Sequence, residues 1–330
     1  MVTKNFTHES SIPCSLVRIM ERQKYHLVGH HSGVKTCNWL HQSLVHDKVC
    51  YKEKFYGIRS HRCLQMTPAL YYCTQHCLFC WRAQSSDFQL KWNEMQLPRW
   101  DDPDKIVEES IETQRLLLSG YKGNSAVNPK KLREAFQPSQ VAISLTGEPT
   151  LYEPLGELIR SYHKKGFTTF LVTNGSLPKA LGKLSEEPTQ LYVSVSAPSK
   201  ELFERVCRPH FSDGWERLSQ TLSMLSSFKC PTVIRTTMMR DVNTDKTAEY
   251  AELITRAHPT YVEAKAYMHV GFSRLRLKFE SMPSYEDVKR FAAKLADETS
   301  YNFVAESRES RVILLSVLKK ARKFDGNDTF

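Results

Sequence analysis

The chain has 330 residues, 41% of them hydrophobic and 25% charged, with a formal net charge of +10. That is the composition of a globular protein with room for one large core, and it excludes disordered and fibrous classes. No apolar run approaches the length of a membrane span, and the polar start Met1–Ser11 lacks the apolar core of a signal peptide, so a cytoplasmic protein without membrane contact is expected. In such a reducing compartment the nine cysteines are metal ligands or buried fillers rather than disulfides, and six of them fall between Cys37 and Cys80. Residues 1–63 carry ten Lys and Arg against four Asp and Glu, together with seven of the twelve histidines. A charge run is usually a solvated face, but this one sits beside the cysteines and suits a polyanionic partner.

In chain order, residues 1–36 show only a weak helical pattern at Leu16, Ile19 and Met20, followed by a polar tract through His30, His31, Ser32 and Gly33. Residues 1–62 are therefore expected to form a basic extension, with Cys14 a buried thiol. Cys37, Cys50 and Cys63 follow, with twelve residues between each pair. Equal spacing alone says little. A buried strand is expected over 64–72 and delivers the densest motif of the chain, Cys73-Thr-Gln-His-Cys77-Leu-Phe-Cys80. Three thiolates inside eight residues can grip one metal centre: three corners of a 4Fe-4S cube with one iron left open, or a zinc site that still lacks a ligand. His76 is a poor fourth zinc ligand, and no second Cys-x2-Cys follows.

A helix is expected over 103–119, then a polar linker over 120–139. Strands are expected at 140–146, 168–173, 190–196, 232–239 and 261–267. Helices are expected at 153–165, 178–185, 200–207, 214–228, 245–257 and 284–298. With the first unit this makes six strand-helix repeats, an α/β fold read as a partial (βα)6 barrel over 63–300 with an open side. Residues 301–330 add an apolar, strand-like run and the basic tail Lys319-Lys320-Ala-Arg322-Lys323, a solvated end that can meet RNA.

In a parallel barrel, function gathers at the carboxyl ends of the strands. There stand Thr146-Gly147-Glu148-Pro149, where glycine permits close backbone approach and Glu148 can accept from an ammonium group, and then Thr173-Asn174-Gly175. Tyr192, Ser194 and Ser196 share one strand face, as do Glu263, Lys265 and Tyr267. Inward polar groups meet either a ligand or one another, so satisfied core hydroxyls and a buried Lys-Glu pair remain open readings.

The Cys-x3-Cys-x2-Cys loop with Phe79 before the last cysteine resembles the radical S-adenosylmethionine (radical SAM) enzymes. The segment from Cys37 through Cys50-Tyr-Lys-Glu-Lys-Phe-Tyr-Gly57 to Cys63, running into Trp81-Arg82, is similar to the tRNA 4-demethylwyosine synthases, a likeness that extends to about residue 318. It implies two 4Fe-4S clusters, one on Cys73, Cys77 and Cys80 and a second on Cys37, Cys50 and Cys63, with S-adenosylmethionine held by Thr146, Gly147, Glu148, Pro149, Asn174, Ser194 and Ser196. The implied reaction is that of a carbon-carbon lyase of the wyosine pathway, which condenses 1-methylguanosine at position 37 of phenylalanine tRNA with two carbons of pyruvate. Lys52 matches the family's Schiff-base lysine, Lys54 being the alternate, although each reads by default as a surface lysine. Lys265 and Tyr267 are substrate-contact candidates, and Arg99, Lys130, Lys131, Arg205 and Arg208 are phosphate-contact candidates. The family's eukaryotic members carry a flavodoxin-like domain ahead of the barrel. This chain resembles the stand-alone archaeal form and is expected to be a monomer that takes electrons from an external donor. The rival readings are another two-cluster radical SAM enzyme acting on tRNA, such as a methylthiotransferase, and a zinc-bearing RNA-binding module without catalysis.

Overall fold

The structure is a computed structural model and describes residues 14–88 and 92–324. The expectations for Met1–Ser11 and for the Cys14 thiol lie outside the described residues, Cys14 as regards its side chain. Helix α1 (Cys14–Arg22) falls on the weak sequence pattern and buries Leu16 and Met20. The polar tract around His30 forms an unexpected hairpin, β1 (His26–Val28) and β2 (Ser32–Val34), and β2 pairs antiparallel with β3 (Cys63–Thr67). Between them, α2 (Asn38–His46) and α3 (Tyr51–Tyr56) each start directly after a cysteine, Cys37 or Cys50, which occupies the N-cap position with extended backbone.

Strand β3 stops at Thr67, short of the expected residue 72. Pro68 has no N–H to offer a neighbouring strand and Tyr71 takes a φ of 69°, so residues 68–72 turn as a buried loop. After a single turn, α4 (Ser85–Phe88), helix α5 (Pro103–Ser119) coincides with its expected range. The stretch read as a linker contains α6 (Pro129–Ala135). Asn128 nucleates this helix by accepting from the N–H groups of Lys130 and Lys131, and Pro129 presets the first turn.

Strands and helices then alternate: β4 (Gln140–Ile143), α7 (Leu155–Lys164), β5 (Thr168–Thr173), α8 (Pro178–Gly182), β6 (Gln190–Ser194), α9 (Lys200–Cys207), α10 (Gly214–Ser223), β7 (Thr232–Met238), α11 (Thr247–Ala257), β8 (Tyr261–Ala266) and α12 (Tyr285–Asp297). Strands β3 to β8 are parallel and neighbour one another in chain order, the partial six-stranded barrel expected from the repeats. The final apolar run is two strands rather than one. Arg311, at a φ of 46°, closes the turn between β9 (Asn302–Ser307) and β10 (Val312–Ser316), and β10 lies antiparallel beside β8. The tail beyond it is docked at its described end: Phe324 N–H donates to Tyr56 O and its ring packs on Tyr56 and Phe170.

The two faces of the barrel differ. Outward residues such as Leu171, Leu191, Val193, Ile234 and Val262 are fully buried in the core that the helices cover. On the inner face Gln65, Val172, Ser194, Arg235, Thr237 and Lys265 remain partly exposed. Strand register sets Ser194, Arg235 and Glu263 in one row across the inner face and Thr237 and Lys265 in the next. Part of the interior is filled by a buried cluster of Phe170, Tyr192, Val233 and Tyr261 with Tyr51, Phe55 and Tyr56, and the partly exposed polar positions leave a lumen open at the carboxyl-terminal mouth.

Candidate active site

The loop after β3 carries Cys73, Cys77 and Cys80 across the mouth, and neighbouring backbone pins it. Cys73 N donates to Glu94 O at 2.7 Å, His76 N to Arg208 O at 3.0 Å and Leu78 N to Val206 O at 2.9 Å. Beneath it Arg82, 1% exposed, donates to Tyr71 O and Gln75 O and is paired with Glu94. Burial would raise the Glu94 carboxyl, but the hydrogen bond from His76 and the charge of Arg82 bring it to about 2. The three thiols are close enough to act on one another: burial pushes Cys73 up, Arg82 opposes this, and Cys77 and Cys80 add to it. Cys77 also meets Cys207 at the end of α9, which the sequence left without a role.

The loop after β4 packs directly under this one. A Cβ on Gly147, whose φ is +75°, would collide with the Ala69 carbonyl oxygen and stand 2.5 Å from that of Tyr72, so only glycine lets the two loops touch. Glu148 N–H donates to Tyr72 O at 2.8 Å. The Glu148 carboxylate is buried. Its Oε1 accepts from Thr150 N, Thr150 Oγ1 and Thr173 Oγ1, and its Oε2 accepts from Asn174 N at 2.7 Å. Burial raises its pKa and these donors oppose the rise. Oε2 keeps a lone pair for one further donor. Asn174 Nδ2 reaches Thr74 Oγ1 at 2.9 Å and Cys73 Sγ at 3.8 Å. Two buried hydroxyls around this mouth, Thr146 Oγ1 and Ser196 Oγ, have no hydrogen-bond partner. Orphaned donors beside a thiol triad fit a polar cofactor that lies against the loop.

Cys37, Cys50 and Cys63 form a second group, near enough that the charge of Cys37 reaches Cys50 and Cys63 and that of Cys50 reaches Cys63. Burial pushes Cys50 up to about 12, Cys37 adds to the rise, and the Lys52 amide and ammonium oppose it. Burial raises the Cys37 thiol and the nearby amides of Trp39 and Leu40 oppose the rise, Cys37 and Cys50 each standing at a helix N-terminus. The amides and Lys52 act against burial, which raises all three thiols. Cys63 opens β3 and Cys73 lies on the loop beyond its end, so β3, about 15 Å long at ~3.3 Å per residue, runs from the second triad towards the first.

The lumen lies between them. Lys52, 8% exposed, reaches into it, with Nζ 5.0 Å from the Phe170 ring centroid and 4.8 Å from that of Tyr192. Burial and then the Arg235 charge lower its pKa. Lys54 faces outward instead and pairs with Glu309 at 3.0 Å. Lys265 stands over the Tyr51 ring and donates to Ser310 O at 3.0 Å; burial and then Arg235 lower it to about 8. Glu263 does not pair with Lys265. It accepts from Arg235 Nε at 3.0 Å, Tyr56 OH at 2.8 Å and Tyr51 OH at 3.2 Å. Tyr267 lies outside the lumen and donates to Ser273 Oγ at 3.0 Å.

Arg205 and Arg208 end α9 beside the cysteine loop, and Arg99 is exposed. Lys130 and Lys131 stand on α6, which leads into the amino end of β4, opposite the mouth, and Lys131 is paired with Asp47.

With this geometry in place, the comparisons become specific. A family model described as "Wyosine base formation" matches residues 256–317, and the "Radical SAM superfamily" model matches residues 128–254. The S-adenosyl-L-methionine-dependent tRNA 4-demethylwyosine synthase of Pyrococcus abyssi is 48% identical over 92% of this chain and 89% of its own. That of Methanocaldococcus jannaschii is 41% identical over 92% and 96%. The chain belongs to the tRNA 4-demethylwyosine synthase family. A solved structure of TYW1 with a lysine-pyruvate adduct bound superposes with a TM-score of 0.85 at 39% identity, over 96% of this synthase and 99% of that chain. The Mus musculus relative, 34% identical, is longer, and the synthase spans 44% of it. Membership makes the synthase a radical SAM enzyme acting on tRNA, and it implies S-adenosylmethionine and a radical SAM iron-sulfur cluster. Among the described residues, no helix of the synthase is long and apolar enough to cross a membrane.

Sequence reasoning missed Arg82, Glu94 and Arg235. Arg235 left a trace, an arginine at the centre of the otherwise uncharged strand Thr232-Val-Ile-Arg-Thr-Thr-Met238, as in any strand whose inner face meets solvent or ligand. Arg82 and Glu94 left none, because their pairing depends on the path of the loop between them.

Proposed function

We propose that the lumen holds pyruvate as an imine of Lys52, where two of its carbons join 1-methylguanosine at position 37 of phenylalanine tRNA to give 4-demethylwyosine, its carboxyl carbon leaving as a one-carbon fragment and the base's exocyclic amine displacing Lys52 from the imine. The observation that carries this reading is the placement of Lys52, buried inside the barrel beside Cys50 and Cys63. Imine formation needs an unprotonated amine, and both burial and Arg235 favour that form. The relative caught with a lysine-pyruvate adduct supports the same chemistry here. Lys52 attacks the keto carbon of pyruvate and water leaves. Arg235 and Lys265, the other cations on the inner face, offset the carboxylate charge.

The first triad would hold a 4Fe-4S cluster, and the orphaned Thr146 and Ser196 hydroxyls, Glu148 Oε2, Asn174 and the loop at Gly147 and Pro149 would hold S-adenosylmethionine, with Ser194 facing it from the lumen. Bound there, the pair supplies an adenosyl radical able to take a hydrogen atom from the methyl group of the base. The second triad would hold another 4Fe-4S cluster, which would supply Lewis-acidic iron to the pyruvate carboxylate. Lys52 keeps the keto carbon in the lumen between them. The base itself must be splayed from the anticodon loop to enter the mouth, with Arg205 and Arg208 placed to meet phosphates there. Electrons come from an external donor.

The test is incubation of reconstituted protein with S-adenosylmethionine, pyruvate, a low-potential reductant and phenylalanine tRNA already methylated at the guanine. The tricyclic nucleoside is expected by mass spectrometry. Cleaved S-adenosylmethionine and intact clusters without any mass gain on that nucleoside would remove the assignment.

A further inference from the structure

The segment 267–282 crosses from the end of β8 to the cysteine loop and is clamped there. Phe272 N–H donates to Trp81 O at 3.1 Å, and Arg240 N–H, beyond the end of β7, to Ser281 O at 2.9 Å. The Arg276 guanidinium binds both oxygens of Asp87 at 2.6 Å and the carbonyls of Leu78, Cys80 and Arg82. Gly271, at a φ of +58°, lies so close that a Cβ would stand 2.6 Å from Trp81 O. This rigid segment nevertheless shows solvent Met268, Val270 and Phe279, 40%, 41% and 61% exposed, beside Trp81 at 41%. Leu275, 65% exposed, lies in the same segment; single exposed apolar residues are ordinary, but five along one clamped rim at the mouth are not.

The Trp81 indole N–H already donates to Leu145 O at 3.1 Å, so what it offers solvent is its ring face. Phe279 is held edge-on to His269, their centroids 5.8 Å apart, and His269 meets Tyr267 OH at 3.1 Å. Exposed Arg274 and Lys278 stand within the same segment. Fixed aromatic faces interleaved with cations at the entrance to a lumen match unpaired nucleotides, which stack in a sequence-tolerant way while their phosphates meet the cations. A protein partner would find the rim interrupted by charge and by the mouth itself.

We propose that Trp81, Met268, Val270 and Phe279 form a stacking platform for the unpaired nucleotides that flank the base entering the lumen. The platform rests on the tRNA reading above and deepens it. It makes the enzyme a reader of loop RNA, with general basicity contributing affinity for any RNA.

The test measures binding of two RNAs, the anticodon stem-loop and a blunt duplex built from its stem alone, to the reconstituted protein. Trp81→Ala and Phe279→Ala are each expected to weaken stem-loop binding by about tenfold or more while changing duplex binding by less than about twofold. Trp81→Phe should recover most of the loss. Because Trp81 follows Cys80, iron content and the visible spectrum check that the cluster loop is intact; if Trp81→Ala loses iron, Phe279→Ala decides alone. Stem-loop binding unchanged in Phe279→Ala, or a parallel loss for both RNAs, would overturn the platform. Failure of the unmodified protein to bind the stem-loop at all would instead remove the tRNA reading, and the platform with it.

Discussion

Lys52 Nζ stands 4.8 Å from the centre of the Tyr192 ring, inside the barrel, whereas Lys54 two residues later points outward to Glu309. About half a turn of helix therefore separates a lysine with the environment for imine chemistry from one without it. Reduction with borohydride in the presence of pyruvate should fix a mass gain on the unmodified protein and on Lys54→Ala, and none on Lys52→Ala. Condensation should fall at least about a hundredfold in Lys52→Ala alone. An adduct that persists in Lys52→Ala would place the amine elsewhere.

Gly147 is the point where the two mouth loops touch. Gly147→Ala adds a methyl against two carbonyl oxygens at a left-handed backbone position. The strain is expected to cost more than about 2 kcal/mol and to lower iron uptake at Cys73, Cys77 and Cys80. Chemical denaturation and iron assay read both effects. Full iron loading with unchanged stability would mean that the loops separate freely.

Glu263 holds Arg235, Tyr51 and Tyr56 together inside the lumen. Glu263→Gln removes the counterion of a largely buried guanidinium and is expected to cost about 3 kcal/mol. Glu309→Gln, which breaks the exposed pair with Lys54, should cost less than about 1 kcal/mol. Equal losses in the two variants would contradict the interior network.

Lys265 carries a pH signature. Its folded pKa, about 8, lies below the ordinary lysine value of 10.5, so between these limits the unfolded chain binds more protons and stability rises with pH. Below pH 8 both states are protonated and the cost of burying the charge is felt in full. Lys265→Met should therefore be more stable than the unmodified protein at pH 7, and its advantage should shrink as pH climbs from 8 towards 10.5. Matched denaturation series at equal iron loading measure the difference, and an advantage independent of pH would show that Lys265 titrates normally.

Much of this architecture could be read in the sequence, and the parts that could not share a cause. Helix α5 and helix α9 match their expected ranges because amphipathic periodicity is local. The twelve-residue rhythm of the cysteines has a local cause as well, since Cys37 and Cys50 each cap a short helix. The hairpin at His26–Val34 escaped notice because three-residue strands in a polar tract carry no pattern. The interior network is different in kind. Tyr51, Tyr56, Arg235 and Glu263 meet only when α3 enters a barrel built from strands some two hundred residues later, and no window of sequence contains that event.

The central claim is that six sulfurs form two separate iron sites facing one lumen. Iron and labile sulfide per chain, measured after anaerobic reconstitution, test it most directly. About eight irons are expected in the unmodified protein and about four in a variant with Cys37, Cys50 and Cys63 all changed to alanine, with the remaining cluster still binding S-adenosylmethionine. About four irons in the unmodified protein, unchanged by that triple substitution, would contradict it.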